Sequence, residues 1–311
     1  MSKKLMRAVQ YDSYGGGTDG LKHVEVPVPT PNKDEVLIKL EATSLNPLDL
    51  RFQKGVARPF VPPKFPVIPC ADVAGEVVEV GSNVVKFKAG DKVVALLNPV
   101  RKYQLLKVQA GLPIAALTAH KALVDIAGIK LDGSGPRMNI LVTAASGGVG
   151  HYAVQLAKLG NTHVSGTCGA RNIEFVKSLG ADEVLDYKTP EGATLKSPSG
   201  KKYDVVVHCA RNIPWSTFEP NLSDTGKVID LTPGPSSMCT YVWKKLTFSK
   251  KQLLPLILIP KEDKELKLLV MLVKEGKLKT MFDSKHPLSR AQDAWAKSLD
   301  GHATGKIIVE I

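Results

Sequence analysis

Twelve residues, Asn139–Gly150 (NILVTAASGGVG), constrain this chain more than any other stretch. Asn139 to Thr143 is a short apolar run, β-branched at Ile140, Val142 and Thr143, as a buried parallel strand requires. It passes directly into Ala144-Ala145-Ser146-Gly147-Gly148-Val149-Gly150. An amphipathic run follows to Leu159, with Val149, Ala153, Leu156 and Ala157 at helical spacing. Strand, glycine turn and helix form the first unit of a dinucleotide-binding fold. Gly147 or Gly148 lets backbone approach a pyrophosphate, and Gly150 lets helix and strand pack closely. The free N–H groups at the helix start face the phosphates. Glycines serve many tight turns, but here the flanking strand and helix are both present.

The rest of the second half follows the same alternation. His163–Thr167 reads as the second strand, Asn172–Leu179 as a helix, and Glu183–Asp186, Asp204–His208 and Gly226–Leu231 as further strands. An NAD enzyme places Asp or Glu at the end of the second strand to hold the ribose 2′-hydroxyl. Here that end reads Cys168-Gly169-Ala170-Arg171-Asn172, and the first carboxylate is Glu174, inside the next helix. Arg171 suits a 2′-phosphate, which points to NADPH; its bland alternative is ordinary surface charge. Cys209 and Thr232 each follow a strand end at the expected ligand crevice, and Cys209 reads as a small apolar residue rather than a nucleophile.

Residues 1–108 read as short strands and turns, at Met6–Tyr11, His23–Pro27, Glu35–Leu40, Asp72–Val80 and Lys92–Leu96, punctuated by glycine and proline. That pattern predicts a β-barrel-like domain ahead of the nucleotide domain. Residues 262–275 predict an amphipathic helix. Ser289 and Gln292 suggest a capping box for a helix to Leu299, and Ile307–Val309 is a last strand. The segment Lys250–Pro260 has four readings: a pocket lip, a dimer contact, a membrane-touching patch, or a buried crossing between domains.

A chain of 311 residues has ample core for two domains. The formal charge of +12 leaves open an anionic cofactor, an anionic lipid surface or nucleic acid. No nucleic-acid-binding signature accompanies it, and the lysines fall in scattered pairs, so much of the excess reads as a solvated surface. Four widely spaced cysteines without a CxxC pair argue against a disulfide framework and a zinc knuckle. The longest apolar run, Leu253–Ile259, is too short to span a bilayer. Neither a signal-peptide core nor a long Arg/Ser-rich presequence is evident.

Asn46-Pro47-Leu48-Asp49, Asp72-Val73-Ala74-Gly75-Glu76-Val77, Gly90-Asp91-Lys92-Val93, Leu112-Pro113 with Leu117-Thr118-Ala119, and the Ala144–Gly150 turn occur in this order, and Ala303–Ile308 closes the chain. In these motifs the sequence resembles the zinc-free medium-chain dehydrogenase/reductases of the quinone oxidoreductase family. The run Gly192–Asp204 and the tail from Asp293 to Val309 look most like the plant members of the chloroplast envelope. The resemblance implies an α/β fold: a Rossmann-type doubly wound parallel sheet at 109–262, and a β-rich GroES-like catalytic domain from 1–108 and 263–311. It places NADPH on Ser146, Gly147, Gly148, Val149, Gly150, Gly169, Arg171, Asn172, Tyr187, Cys209, Thr232 and Lys306. It puts Asn46 near the nicotinamide and has Thr118 orient the cofactor. The bland alternatives are a core aromatic at a strand end for Tyr187, a solvated lysine after a turn for Lys306, and a turn cap before Pro47 for Asn46. Asp49 and Asp72 read as structural, each holding a turn or strand by local hydrogen bonds.

Zinc members of the family place Cys and then His-Glu around the metal; the matching positions here are Asn46 and Ala71-Asp72. Ala71 cannot ligate, and asparagine is a poor zinc ligand, so no metal is expected. One departure stands out. Family members carry a Gly-Gly-x-Ala-Glu run before the Leu-Pro motif, and Leu96–Ala110 is too short to contain it. Either that run is deleted, or the sequence is written continuous across missing loops. Without a Lewis acid the acceptor must be an enone, enal, oxidised-lipid ketone or quinone, whose reduction gives a delocalised anion. The competing expectation is an NADPH-binding protein with a mainly non-enzymatic, membrane-associated role. The resemblance also implies a peripheral place at the chloroplast envelope, and leaves open a homodimer and contact with anionic lipid.

Overall fold

The computed structural model describes residues 4–56, 58, 62, 64–97, 104–106, 111–256 and 263–311. The chain begins with β1 (Leu5–Gln10), β2 (Lys22–Pro27), β3 (Val36–Leu45), a short helix α1 (Pro47–Gln53), β4 (Asp72–Val80), β5 (Lys92–Leu96) and β6 (Gln104–Leu106). Next come α2 (Pro113–His120), β7 (Met138–Thr143), α3 (Gly150–Leu159), β8 (Thr162–Cys168), α4 (Ile173–Ser178), β9 (Glu183–Asp186) and α5 (Pro190–Ala193). They are followed by β10 (Tyr203–His208), α6 (Trp215–Phe218), β11 (Leu222–Asp230), α7 (Pro235–Leu246) and β12 (Gln252–Pro255). The chain ends with α8 (Asp263–Lys274), β13 (Phe282–Pro287), α9 (Ala291–Asp300) and β14 (Lys306–Glu310).

These elements form two compact units. The first holds residues 1–114, 262–271 and 282–311; the second holds 115–261 and 272–281. In the first unit β1 and β2 make an antiparallel pair, and a six-stranded sheet runs β13-β14-β3-β4-β5-β6. β4 and β5 occupy the stretches predicted for them. Gly75 in β4 is required by contact: a Cβ there would lie 2.1 Å from the Lys39 carbonyl oxygen, beside a register shift between β3 and β4. One face buries Val73, Val77, Val93 and Ala95; a second cluster gathers Tyr11, Leu45, Leu50, Trp295, Ile307 and Val309. The Trp295 indole N–H donates to Gln53 Oε1 (3.1 Å) at the end of α1. The strand-and-turn reading of this region missed α1, whose seven residues are too few to show a helical period.

The second unit carries six parallel strands in the order β12-β11-β10-β7-β8-β9. The order reverses direction between β7 and β10, so the ligand crevice of a doubly wound sheet falls there. Ile140, Leu141 and Val142 of β7 are buried without remainder, as a central strand covered on both faces must be.

Two local expectations fail. α9 is preceded by a single turn at Leu288–Arg290 and capped by Arg290, so Ser289 is not its cap; Gln292 instead bonds His23 Nε2 through its side chain (2.8 Å). Of the Lys250–Pro260 segment, Gln252–Pro255 is the edge strand β12, paired parallel to β11, which replaces the interdomain-crossing reading for those residues. Residues 257–260, and most of the short stretch between Leu96 and Ala110, lie outside the described residues.

Candidate active site

The glycine turn is held from both sides within the second unit. Ala144 takes a left-handed φ of 49°; its N–H donates to Thr167 Oγ1 (3.1 Å), and that of Ala145 to the Thr167 carbonyl (2.8 Å), locking the turn to the end of β8. A Cβ on Gly150 would lie 2.2 Å from the Ala144 carbonyl oxygen and 2.8 Å from Ala145 Cα, so glycine is dictated where α3 begins. The Gly147 carbonyl accepts the His151 backbone N–H (3.1 Å) and lies 2.9 Å from His151 Nδ1. The Met281 N–H donates to His151 Nε2 (3.3 Å). A carbonyl only accepts, so Nδ1 carries the proton and His151 is a neutral imidazole. Tyr152 and Gln155 extend the lacing, to Thr280 Oγ1 (2.7 Å) and to the Lys279 carbonyl and N–H (2.9 and 2.8 Å). The segment 272–281 belongs to this unit through those bonds. No spacing signal in the sequence singles out His151.

The end of β8 is brought to the turn. Asn172 Nδ2 donates to Ser146 Oγ (3.1 Å), and its backbone N–H to the Gly169 carbonyl (2.8 Å). Ser146, Gly169 and Asn172 therefore form one cluster, and Arg171 is exposed beside it. The Tyr187 N–H bonds the Cys168 carbonyl (3.1 Å), and the Tyr187 ring lies within 3.7–4.0 Å of where a Gly169 Cβ would stand. At 44% exposure Tyr187 is not the core aromatic of the bland alternative.

The carboxyl ends of the central strands carry a second network. Thr143, His208 and Asp230 are register partners across β7, β10 and β11. Thr143 Oγ1 accepts from the backbone N–H groups of Cys209 (2.9 Å) and Ala210 (3.1 Å), and lies 3.0 Å from His208 Nδ1. With both lone pairs taken, the hydroxyl donates to Nδ1, and the His208 proton sits on Nε2. Burial pulls the His208 pKa down while Asp230 opposes it, which favours the neutral ring. Asp230 accepts from the Thr232 N–H (2.9 Å) and Ser237 Oγ (2.6 Å), and Thr232 Oγ1 donates to the Ala210 carbonyl (3.0 Å). Cys209 and Thr232 thus meet through Thr143, Ala210 and Asp230. Burial, reinforced by Asp230, pushes the Cys209 thiol up to about 12, so it is no nucleophile. A cavity of about 310 Å³ lies beside these strand ends, walled by His208, Trp215, Phe218, Asp230 and Ser237. Thr118 is buried on α2.

In the first unit, Asn46 caps α1. Its backbone N–H donates to Asp49 Oδ2 (2.8 Å), so it does form the turn of the bland reading. Its side chain also enters a buried network. Asn46 Nδ2 donates to Asp72 Oδ2 (2.9 Å) and the Ser44 carbonyl (3.3 Å). Asp72 further accepts from Ser44 Oγ (2.9 Å) and from the N–H of Ile114 (3.0 Å), forty-two residues away. Asp72 therefore joins distant segments rather than a local turn, which corrects the expectation of local bonding. Lys306 reaches the same place, with Nζ 2.6 Å from Asn46 Oδ1 and 3.1 Å from the Leu45 carbonyl. It is 2% exposed, which rules out the solvated-lysine reading. Burial drives the Asp49 carboxyl up to about 7 and raises Asp72, whereas it lowers Lys306.

Comparison with known proteins matches residues 32–154 to the alcohol dehydrogenase GroES-like domain and residues 179–309 to the zinc-binding dehydrogenase family. The chloroplast envelope quinone oxidoreductase homolog of Arabidopsis thaliana is 68% identical, with all of both chains covered. The chloroplastic NADPH-dependent alkenal/one oxidoreductase of the same plant is 33% identical over 98% of this chain and 80% of its own. Among solved structures, the quinone oxidoreductase of Coxiella burnetii superposes with a TM-score of 0.84 at 29% identity, covering 99% of this chain and 100% of that one. A parallel nucleotide sheet, a separate GroES-like sheet and full-length relatives of this kind place the chain in the medium-chain dehydrogenase/reductase family, as an oxidoreductase of its quinone oxidoreductase branch.

Proposed function

We propose that this chain is an NADPH-dependent reductase of α,β-unsaturated carbonyl compounds (enones, enals and oxidised-lipid ketones) or of quinones, and that it works without zinc. The observation that carries the reading is the end of β8. Ser146, Gly169 and Asn172 are assembled there, no carboxylate stands between the strand and Arg171, and Arg171 is the first charged side chain. An arginine with no competing carboxylate favours a 2′-phosphate over a free 2′-hydroxyl. A relative named as NADPH-dependent and acting on alkenals and alkenones supports the same choice.

NADPH supplies the hydride when bound. The chain contributes the cradle: the turn from Ser146 through Gly147, Gly148 and Val149 to Gly150, with Gly169, Arg171, Asn172 and Tyr187 on the adenosine side. Cys209, Thr232 and Thr118 are assigned to the other end. Zinc does not suit the residues present. Ala71 offers no donor, and the oxygen of Asn46 is already held by the Lys306 ammonium, whose charge opposes a divalent cation. Both amide hydrogens of Asn46 are committed to Asp72 and Ser44, so Asn46 contributes shape and a fixed dipole, and the product proton comes from solvent.

The Arabidopsis relative named for the chloroplast envelope supports a place at that membrane, which we take to be peripheral. Among the described residues no helix is long and apolar enough to cross a bilayer. None of the residues of α7 is buried; Trp243 (66%), Leu246 (69%) and the adjoining Phe248 (92%) are exposed beside the exposed Lys245 and Lys250. That combination suits an anionic lipid surface. As an edge strand, β12 would be the place for a homodimer to continue the sheet. The deciding experiment is steady-state oxidation of NADPH and NADH against a panel of enones, enals and quinones. Turnover with NADPH preferred is expected; NADPH binding without turnover of any acceptor would overturn the assignment.

A further inference from the structure

Lys306 is the one lysine or arginine among the described residues that is buried, and it lies with Asp49 and Asp72, both buried as well. An ammonium in that position must have work that offsets its desolvation. Its partners say what the work is. Nζ lies 2.6 Å from Asn46 Oδ1, 3.1 Å from the Leu45 carbonyl and 3.8 Å from Asp72 Oδ2. The Asn46 amide is therefore gripped at both ends, its oxygen by a cation and its nitrogen by the Asp72 carboxylate and the Ser44 carbonyl. Only one sense of the amide is tolerated. Flipped, it would set N–H groups against an ammonium and an oxygen against a carboxylate. Asp72 carries the constraint onward by accepting from the Ile114 N–H next to Pro113 at the start of α2.

We infer that Lys306 is a positioning residue of the reductase site. It stands in for the metal of zinc relatives by fixing the Asn46 amide and the start of α1 from behind, and it does not itself touch the cofactor. The inference rests on the reductase reading for its kinetic consequence, and its structural part is independent of it. It differs from a cofactor contact at Lys306, because the ammonium faces Asn46, Leu45 and Asp72 and is 2% exposed.

Lys306→Met alone strands two buried carboxylates and threatens folding. Lys306→Met/Asp72→Asn removes opposite charges together, and Lys306→Arg keeps the charge. In the double variant NADPH affinity, read by cofactor fluorescence, should stay within about twofold of wild type. At the same time kcat for the best enone or quinone should fall about tenfold to a hundredfold, the range of a lost charge-assisted hydrogen bond. Lys306→Arg should recover part of that loss. The Asn46→Ala exchange should cost a similar factor, and combining it with the double variant should add little, since both act through one amide. The second readout needs no turnover: the Asn46 side-chain NH₂ signals, assigned in ¹⁵N spectra by their loss in Asn46→Ala, should exchange slowly in wild type and rapidly in the double variant. Wild-type kcat in the double variant, an NADPH Kd raised tenfold with kcat kept, or unchanged amide exchange would each overturn the inference. If the wild type reduces no acceptor, the reductase reading fails by itself and the amide exchange still decides the role of Lys306.

Discussion

Glu183, at the start of β9, tests how the nucleotide unit is fastened. Its carboxylate accepts from Ser165 Oγ (2.9 Å), Ser197 Oγ (2.7 Å) and the Ser199 N–H (3.1 Å), with His163 Nε2 at 3.4 Å. These groups bind the loop after α5 to β8 and β9, and β9 leads to Tyr187. Burial by itself would raise the Glu183 pKa, but the hydrogen bonds from Ser199, Ser197 and Ser165, with His163 close beside them, prevail and hold it at about 2 against an ordinary 4.5. The side chain is only 10% exposed, so solvent screens little of this. At about 1.4 kcal/mol per pH unit the depression is linked to about 3 kcal/mol of stability. For a depressed carboxylate that stability is present in full above the unfolded pKa, and it drains away as pH falls from 4.5 through 2. Glu183→Gln keeps the shape and removes the charge. Urea unfolding of both proteins should give a difference of about 3 kcal/mol near pH 6, shrinking to about 1 kcal/mol near pH 3. A difference that stays constant over this range, or widens toward acid, would refute the reasoning, because it would mean that the serines bond Glu183 no better charged than neutral.

Gly150→Ala forces a methyl to 2.2 Å from the Ala144 carbonyl oxygen, whereas Gly147→Ala meets the same oxygen at 3.2 Å. Thermal melts with and without NADPH should show the first variant destabilised by about 3 kcal/mol or more and deaf to cofactor, and the second near wild type in stability. Arg171→Glu should raise the KM for NADPH by about tenfold or more while leaving NADH nearly unchanged; equal effects on both would remove the phosphate role. Vesicles of anionic lipid should sediment with the wild type in low salt and release it in high salt. Leu246→Glu/Phe248→Glu should weaken the attachment, and salt-insensitive binding would count against α7.

The nucleotide unit was readable because its signals are local. β9 occupies the predicted Glu183–Asp186, and the strand, glycine turn and helix from Met138 to Leu159 follow the expected sequence of elements. The cluster of Ser146, Gly169 and Asn172 was legible in the same way, since each residue sits at the end of a recognisable strand. What stayed hidden depends on contacts that spacing cannot encode. Asp72 reaches Ile114, Lys306 reaches Asn46, and Gln53 reaches Trp295 across 242 residues. His151 escaped notice because an imidazole that fastens a turn reads like any buried histidine. The Ser289–Gln292 box looked sound by pattern, but Arg290 caps α9 and His23 bonds Gln292. α7 gave no warning either, as Met238, Val242, Trp243 and Leu246 face outward while Tyr241 packs against the core, contrary to the usual rule for an amphipathic helix.

Strand β14 comes after every other strand of its sheet in the sequence, yet it lies inside that sheet, between β13 and β3. Its register sets Ile307 against Leu45 and Val309 against Thr43. During synthesis β3, β4 and β5 therefore wait, with one edge of β3 unpaired, until more than two hundred further residues have emerged. Throughout that interval Asp49 and Asp72 lack Lys306, the one buried lysine or arginine among the described residues. The sheet and its charge balance are completed in a single late event, the docking of a strand that begins with Lys306. Nascent chains arrested short of that lysine should remain open to protease between β3 and β5, long after the glycine turn has closed.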